Sequence, residues 1–130
     1  MTATPASPPF VLVVEDDDSI ATALEYVIRR EGLGCVRATL GSEALGLIDR
    51  HHPDLILLDI MLPDLSGYDI CDEVRRDAAL AETKVLMMTA RGSASEQRRA
   101  MEHGADGFVS KPFDLAVLRG EIARLLGRAA

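Results

Sequence analysis

The chain has 130 residues, enough for one domain that buries roughly two-thirds of its unfolded surface, with nothing left over for a second. Its 14 Lys and Arg stand against 21 Asp and Glu, a formal net charge of -7, which is not the footprint of a nucleic-acid binder, so any effect on DNA would be indirect. No apolar stretch approaches the ~20 residues of a membrane span, and residues 1–9 have neither the basic region nor the apolar core of a secretory signal, so the expectation is a cytoplasmic protein without membrane contact.

Residues 1–9, rich in Pro, Ser, Thr and Ala, are expected to form a flexible N-terminal tail. Val11-Leu12-Val13-Val14 is a short continuous apolar run, the pattern of a strand buried on both faces of a parallel sheet, and it ends at Glu15 and three successive Asp residues. Ile20, Leu24, Val27 and Ile28 then share one helical face, with Asp18 or Ser19 as N-cap and Gly32 as stop. A weaker strand around Cys35 to Ala38 precedes a helix carrying Ala44, Leu45 and Ile48. The third strand, Leu55-Ile56-Leu57-Leu58, ends on Asp59, followed by a turn with Pro63 and Gly67 and a helix with Ile70, Cys71 and Val74.

Val85-Leu86-Met87-Met88 runs into Thr89. The stretch Ala94 to His103 is helix-compatible but poorly apolar, crowded by Arg98, Arg99 and Glu102, and is expected to be the least firmly packed helix. Phe108-Val109-Ser110 leads to Lys111, after which Leu115, Leu118, Ile122, Leu125 and Leu126 mark a last amphipathic helix. Five strand-helix units joined by right-handed crossovers predict an α/β fold, a doubly wound five-stranded parallel sheet with helices on both faces. Cys35 and Cys71 are too few for a disulfide framework, lack metal-site spacing and read as reduced packing residues.

Sites in such sheets lie beyond the carboxyl ends of the strands, where Glu15, Asp16, Asp59, Thr89 and Lys111 all fall. The acidic run alone reads as a solvated turn that caps a helix. With Asp59 on a neighbouring strand end it reads as a carboxylate cluster that needs a cation, and hard oxygen ligands suit Mg²⁺. A carboxylate beside such an ion can act as a nucleophile on phosphorus, provided a cation and a hydroxyl or N–H hold the remaining phosphoryl oxygens. Lys111 and Thr89 are the right types.

The segments Val11-Leu12-Val13-Val14-Glu15-Asp16-Asp17, Asp54 through Pro63 around Asp59, Met88-Thr89-Ala90 and Gly104 through Phe113 around Lys111 resemble the receiver domain of bacterial two-component response regulators. The likeness runs from Phe10 to about Leu126, so residues 10–127 are expected to form the receiver and 128–130 a C-terminal tail. It implies a flavodoxin-like fold of strand order 2-1-3-4-5. It also implies Asp59 as acceptor of a phosphoryl group from a sensor histidine kinase or phosphotransfer protein. Asp16, Asp59 and the Met61 backbone carbonyl would ligate Mg²⁺ directly and Glu15 mainly through water. Thr89 and the Ala90 N–H would hold phosphoryl oxygens, Lys111 would pair with another, and Lys111-Pro112 would be a cis peptide. Phe108 would be the aromatic that swings inward as Thr89 moves and, lacking a hydroxyl, would switch by burial alone. Met61 and Arg91 would flank the phosphoryl group; Met61 would shield it and slow its hydrolysis, while Arg91 would either lie across the phosphoryl oxygens or stand as a solvated surface residue.

On this likeness the protein is a signalling switch for a downstream protein target rather than an enzyme, with only self-phosphorylation from a donor and self-dephosphorylation as activities. The alternative is a receiver fragment of a larger regulator whose output domain lies outside this chain. Three departures stand out: Glu15 replaces the commoner Asp, and Gly120-Glu121-Ile122 and Asp106-Gly107-Phe108 stand where the winged-helix subfamily carries Ala-Arg-Ile and Asp-Asp-Tyr. The last two remove charges used in that subfamily's inter-receiver ion pairs and argue against its usual dimer. Rival classes fit poorly. A dehalogenase-type phosphatase needs a second Asp where Met61 stands, and a flavodoxin needs a phosphate cradle where the acidic run would repel phosphate.

Overall fold

Alternating side chains along three strands are apolar on both sides, and one sheet enclosed between two layers of helices is the arrangement that removes both faces from water. The computed structural model describes residues 9–90 and 92–128. The elements are β1 (Phe10–Val14), α1 (Asp18–Arg30), β2 (Gly34–Ala38), α2 (Gly41–His51), β3 (Leu55–Asp59), α3 (Gly67–Arg76), a 3₁₀ turn at Ala78–Leu80, β4 (Lys84–Thr89), α4 (Ala94–Glu102), β5 (Gly107–Ser110) and α5 (Leu115–Leu125). All strand pairs are parallel and the order is β2-β1-β3-β4-β5, as expected. Among the described residues no helix is long and apolar enough to cross a membrane. The tail expected over residues 1–9 lies, apart from Pro9, outside the described residues, as do Arg91, Ala129 and Ala130.

Strand periodicity sorts the core into two halves. Leu12, Val14, Ile56, Leu58, Val85 and Met87 pack against α2, α3 and α4, while Val11, Val13, Leu55, Leu57, Leu86 and Met88 pack against α1 and α5. α4 contributes only Ala100 as a buried residue, in line with its weak apolar face. Cys35 and Cys71 are free, and burial pushes both thiols up to about 11, so they stay protonated packing groups.

Two local expectations need correction. The N-cap of α1 is Asp17, whose carboxylate accepts the Ile20 N–H at 3.0 Å, so neither Asp18 nor Ser19 caps it. Leu115 is 45% exposed, because α5 begins beyond the sheet and its first turn borders an open groove beside Tyr26.

Gly67, the first residue of α3, brings this helix directly onto the end of β3. Its N–H donates to the Ile60 carbonyl at 2.8 Å, and a Cβ there would lie 2.5 Å from the Asp59 carbonyl oxygen and 2.8 Å from Ile60 Cα. Both are backbone atoms that cannot swing aside. Gly67→Ala should therefore destabilise the protein by about 1–3 kcal/mol, read from the urea midpoint, and an unchanged midpoint would show that α3 can shift away from β3 freely.

Candidate functional site

Parallel pairing brings the ends of β1, β3, β4 and β5 side by side. Val14 is in register with Leu58, Asp59 with Met88 and Thr89 with Ser110, so residues just past these positions share one edge of the sheet. Glu15, Asp59 and Thr89 are all buried, whereas Asp16 is exposed. Carboxylate oxygens of Glu15, Asp16 and Asp59 lie within 4.8 Å of one another.

Lys111 enters this acidic cleft from the loop after β5. Its Nζ donates to Glu15 Oε1 at 2.5 Å and lies 3.2 Å from Asp59 Oδ2. The other oxygens are held as well: Asp59 Oδ1 accepts the Met61 N–H at 3.1 Å, and Glu15 Oε2 accepts the Asp17 N–H at 3.2 Å. Burial raises the Glu15 carboxyl above its usual value and the charge of Asp59 adds to this, while the hydrogen bond from Lys111 opposes it. Burial by itself would lower the Lys111 ammonium. The hydrogen bond to Glu15 and the charges of Asp59 and Glu15 outweigh it and hold Lys111 above its ordinary value, so it stays charged.

Among the described residues, the Glu15, Asp16 and Asp59 carboxylates are met by the Lys111 ammonium, an excess of negative charge on hard oxygen donors. That donor set fits a small divalent cation such as Mg²⁺, with Glu15, Asp16 and Asp59 as the protein groups able to hold it. The Met61 side chain is 74% exposed over this edge, and its backbone is tied to Asp59. Thr89 lies at the end of β4, its carbonyl accepting the Lys111 N–H at 2.7 Å, and Ala90 follows it, exposed. Lys111-Pro112 is cis, as the family likeness implies. Phe108 is half-buried and packs against the core half that includes Met87 and Ala100.

The family described as "Response regulator receiver domain" matches residues 11–123. The chain belongs to this family. The receiver is 40% identical over 118 residues to the sensory transduction protein RegX3 of Mycobacterium tuberculosis (strain H37Rv), a match covering 91% of this chain and 51% of RegX3. It spans about half the length of the curated relatives it matches. Among solved structures, a putative response regulator from Chloroflexus aurantiacus superposes with a TM-score of 0.89 at 36% identity, covering 94% of this chain and all of that one. The receiver domain of the sensor histidine kinase PA1611 from Pseudomonas aeruginosa, described with a magnesium ion coordinated in its active site cleft, superposes at 0.84 with 26% identity, covering 93% of this chain and 99% of that one.

Beside the cleft, a cavity of about 550 Å³ opens between the β3–α3 loop, Thr89 and α4. Tyr68 of α3 lines it. Its hydroxyl donates to Glu96 at 2.8 Å, the Arg99 guanidinium lies 4.4 Å from its ring centre, and the His103 ring lies 4.7 Å away. Burial and the Glu96 carboxylate push the phenol up to about 12, so it remains a donor. Sequence reasoning missed this cluster, since nothing in the pattern of α3 links Tyr68 to residues 28 and more positions away.

Removing the Lys111 ammonium from the cleft leaves the buried Glu15 and Asp59 carboxylates facing each other. Lys111→Met should lower the stability of the metal-free protein by roughly 3 kcal/mol, and millimolar Mg²⁺ should recover more stability in the variant than it adds to the wild type. Equal urea midpoints for the two metal-free proteins would show that Lys111 does not neutralise the pair.

Proposed function

We propose that this receiver takes a phosphoryl group onto Asp59 from the phosphohistidine of a sensor histidine kinase or phosphotransfer protein, in a Mg²⁺-dependent step. The phosphorylated form then changes its binding to a downstream protein. The observation that carries this reading is the Asp59 carboxylate itself, buried at the end of β3 with one oxygen on the Met61 N–H, the other beside the Lys111 ammonium, and two further carboxylates within reach of a shared cation. The magnesium ion described in the PA1611 receiver supports the same choice of metal.

In the transfer an Asp59 oxygen forms a bond to phosphorus, the P–N bond of the donor breaks, and the imidazole leaves with the electron pair. Asp16, Asp59 and the Met61 carbonyl would hold the ion directly and Glu15 mainly through water, and bound Mg²⁺ would supply charge neutralisation to the phosphoryl oxygens. Lys111 exchanges its contact with Asp59 for a phosphoryl oxygen while Glu15 keeps it charged and in place. The Thr89 hydroxyl and the Ala90 N–H take the third. Movement of Thr89 toward the new group opens space that the half-buried Phe108 fills by deeper burial, and α4, with its single buried residue, is the element free to follow.

The match to half of RegX3 supports a second reading alongside the first, in which this receiver works next to an output domain on a longer chain. In either reading it acts in the cytoplasm, without contacting membrane or nucleic acid directly.

A small phosphodonor with Mg²⁺ should add one phosphoryl group to the wild type, visible by intact-protein mass spectrometry, and Asp59→Asn should abolish the addition. Equal labelling of the variant would move the acceptor elsewhere. The exposed Met61 thioether cannot orient a water in line with the leaving carboxylate, whereas an amide can. Met61→Asn should speed decay of the phosphorylated protein several-fold once donor is removed at saturating Mg²⁺. A decay rate matching the wild type would leave Met61 without influence on hydrolysis.

A further inference from the structure

β2 is an edge strand and supplies no group to the cleft, yet one of its side chains grips the loop that does. Arg37 Nε and Nη2 both donate to the Glu15 carbonyl oxygen, at 3.0 and 2.9 Å, and Nη1 donates to the Asp18 carboxylate at 2.8 Å. One guanidinium therefore spans the acidic run from its first residue to the first turn of α1. The Arg37 side chain is only 22% exposed, while Asp18 is open to water, so the bonds to the Glu15 carbonyl are the sheltered part of the contact.

That carbonyl belongs to the peptide unit between Glu15 and Asp16. Because the unit is planar, fixing its oxygen restricts ψ of Glu15 and φ of Asp16, the two rotations that aim the carboxylates on either side. The Glu15 N–H is already held by the Ala38 carbonyl at 3.1 Å, on the same strand as Arg37. β2 thus holds the backbone of Glu15 from both sides.

We propose that Arg37 is a positioning residue for the cation site: by holding the Glu15–Asp16 peptide it presets the Glu15 and Asp16 carboxylates for a divalent ion, without touching the ion or the phosphoryl group. The inference rests on the proposed Mg²⁺ site. It also runs against simple electrostatics, which makes it testable by sign. A cation beside an acidic cluster weakens binding of a second cation, so if charge alone mattered, removing Arg37 would tighten Mg²⁺ binding. If position matters more, removal weakens it. A lysine keeps the charge but has no planar fork to place two bonds on one carbonyl and a third on Asp18.

The test is calorimetric titration of Mg²⁺ into the wild type, Arg37→Lys and Arg37→Met, with amide hydrogen exchange of the metal-free proteins and urea midpoints measured in parallel. The expected result is Mg²⁺ binding to the wild type, a several-fold higher dissociation constant in both variants, and faster exchange confined to the amides of residues 15–18. Tighter or unchanged binding in Arg37→Met, or wild-type affinity in Arg37→Lys, would overturn the role of Arg37 while leaving the cation site intact. A purely structural Arg37 would lower the urea midpoints without moving the dissociation constant, and that outcome overturns the role too. Absence of Mg²⁺ binding by the wild type would overturn the site reading and this inference with it.

Discussion

Two carboxylates held out of water next to each other are the arrangement on which the rest of this structure depends. Glu15 and Asp59 lose most of their hydration at the sheet edge, and the Lys111 ammonium, bonded to one and 3.2 Å from the other, is what makes their proximity tolerable. Asp16 adds a third negative group at the open side of the cleft. Among the described residues the cluster has more carboxylates than ammonium groups, a set of hard oxygen donors whose chemistry suits a divalent cation. Glu15 in place of a shorter Asp serves this geometry, because its second oxygen folds back to the Asp17 N–H while the first meets Lys111.

Holding that cluster together requires a rigid backbone from several directions. The parallel sheet aligns the strand ends, Gly67 lets α3 approach the carbonyl of Asp59 itself, and the Lys111 N–H bonds the Thr89 carbonyl, so the loop after β5 is tied to β4. Farther out, Arg75 ties three segments with one guanidinium, donating to the carbonyls of Gly104 and Thr83 and to the Asp106 carboxylate, which also accepts the Val85 N–H. These clamps leave α4 as the exception. It buries a single residue, Ala100, and is otherwise held to α3 by polar contacts, Glu96 to Tyr68 and His103 to Asp72, so less of its attachment is apolar burial.

The glycine at position 107 has a packing account, whereas a Cβ at Gly120 would meet nothing within 4 Å. A Cβ at Gly107 would meet Leu86 at 2.9 Å and crowd the Arg124 guanidinium and Glu121 carboxylate at 3.2 and 3.3 Å. Arg124 and Glu121 pair with each other through two hydrogen bonds, and Arg124 also reaches the Asp106 carbonyl. Arg124 and Glu121 are therefore paired within the chain.

The amino-acid sequence by itself determined the α/β class, the five strands and the placement of Glu15, Asp59, Thr89 and Lys111 at strand ends, because apolar periodicity and strand-end chemistry are local properties carried by consecutive residues. It placed the N-cap of α1 at Asp18 or Ser19, one or two residues late, because neighbouring Asp and Ser residues share the same capping chemistry and only the backbone conformation selects Asp17. It made Leu115 look like core, since an apolar residue at helical spacing reads the same whether or not a sheet lies beneath it. What only the tertiary structure decided are the contacts made by long polar side chains. Arg37 reaches Glu15 across 22 positions and Tyr68 reaches Glu96 across 28, and neither pairing leaves a periodic trace in the chain. An arginine or tyrosine on an edge strand or helix face can point its polar end toward any of several neighbours, and the packing of the completed sheet and its helices selects which one.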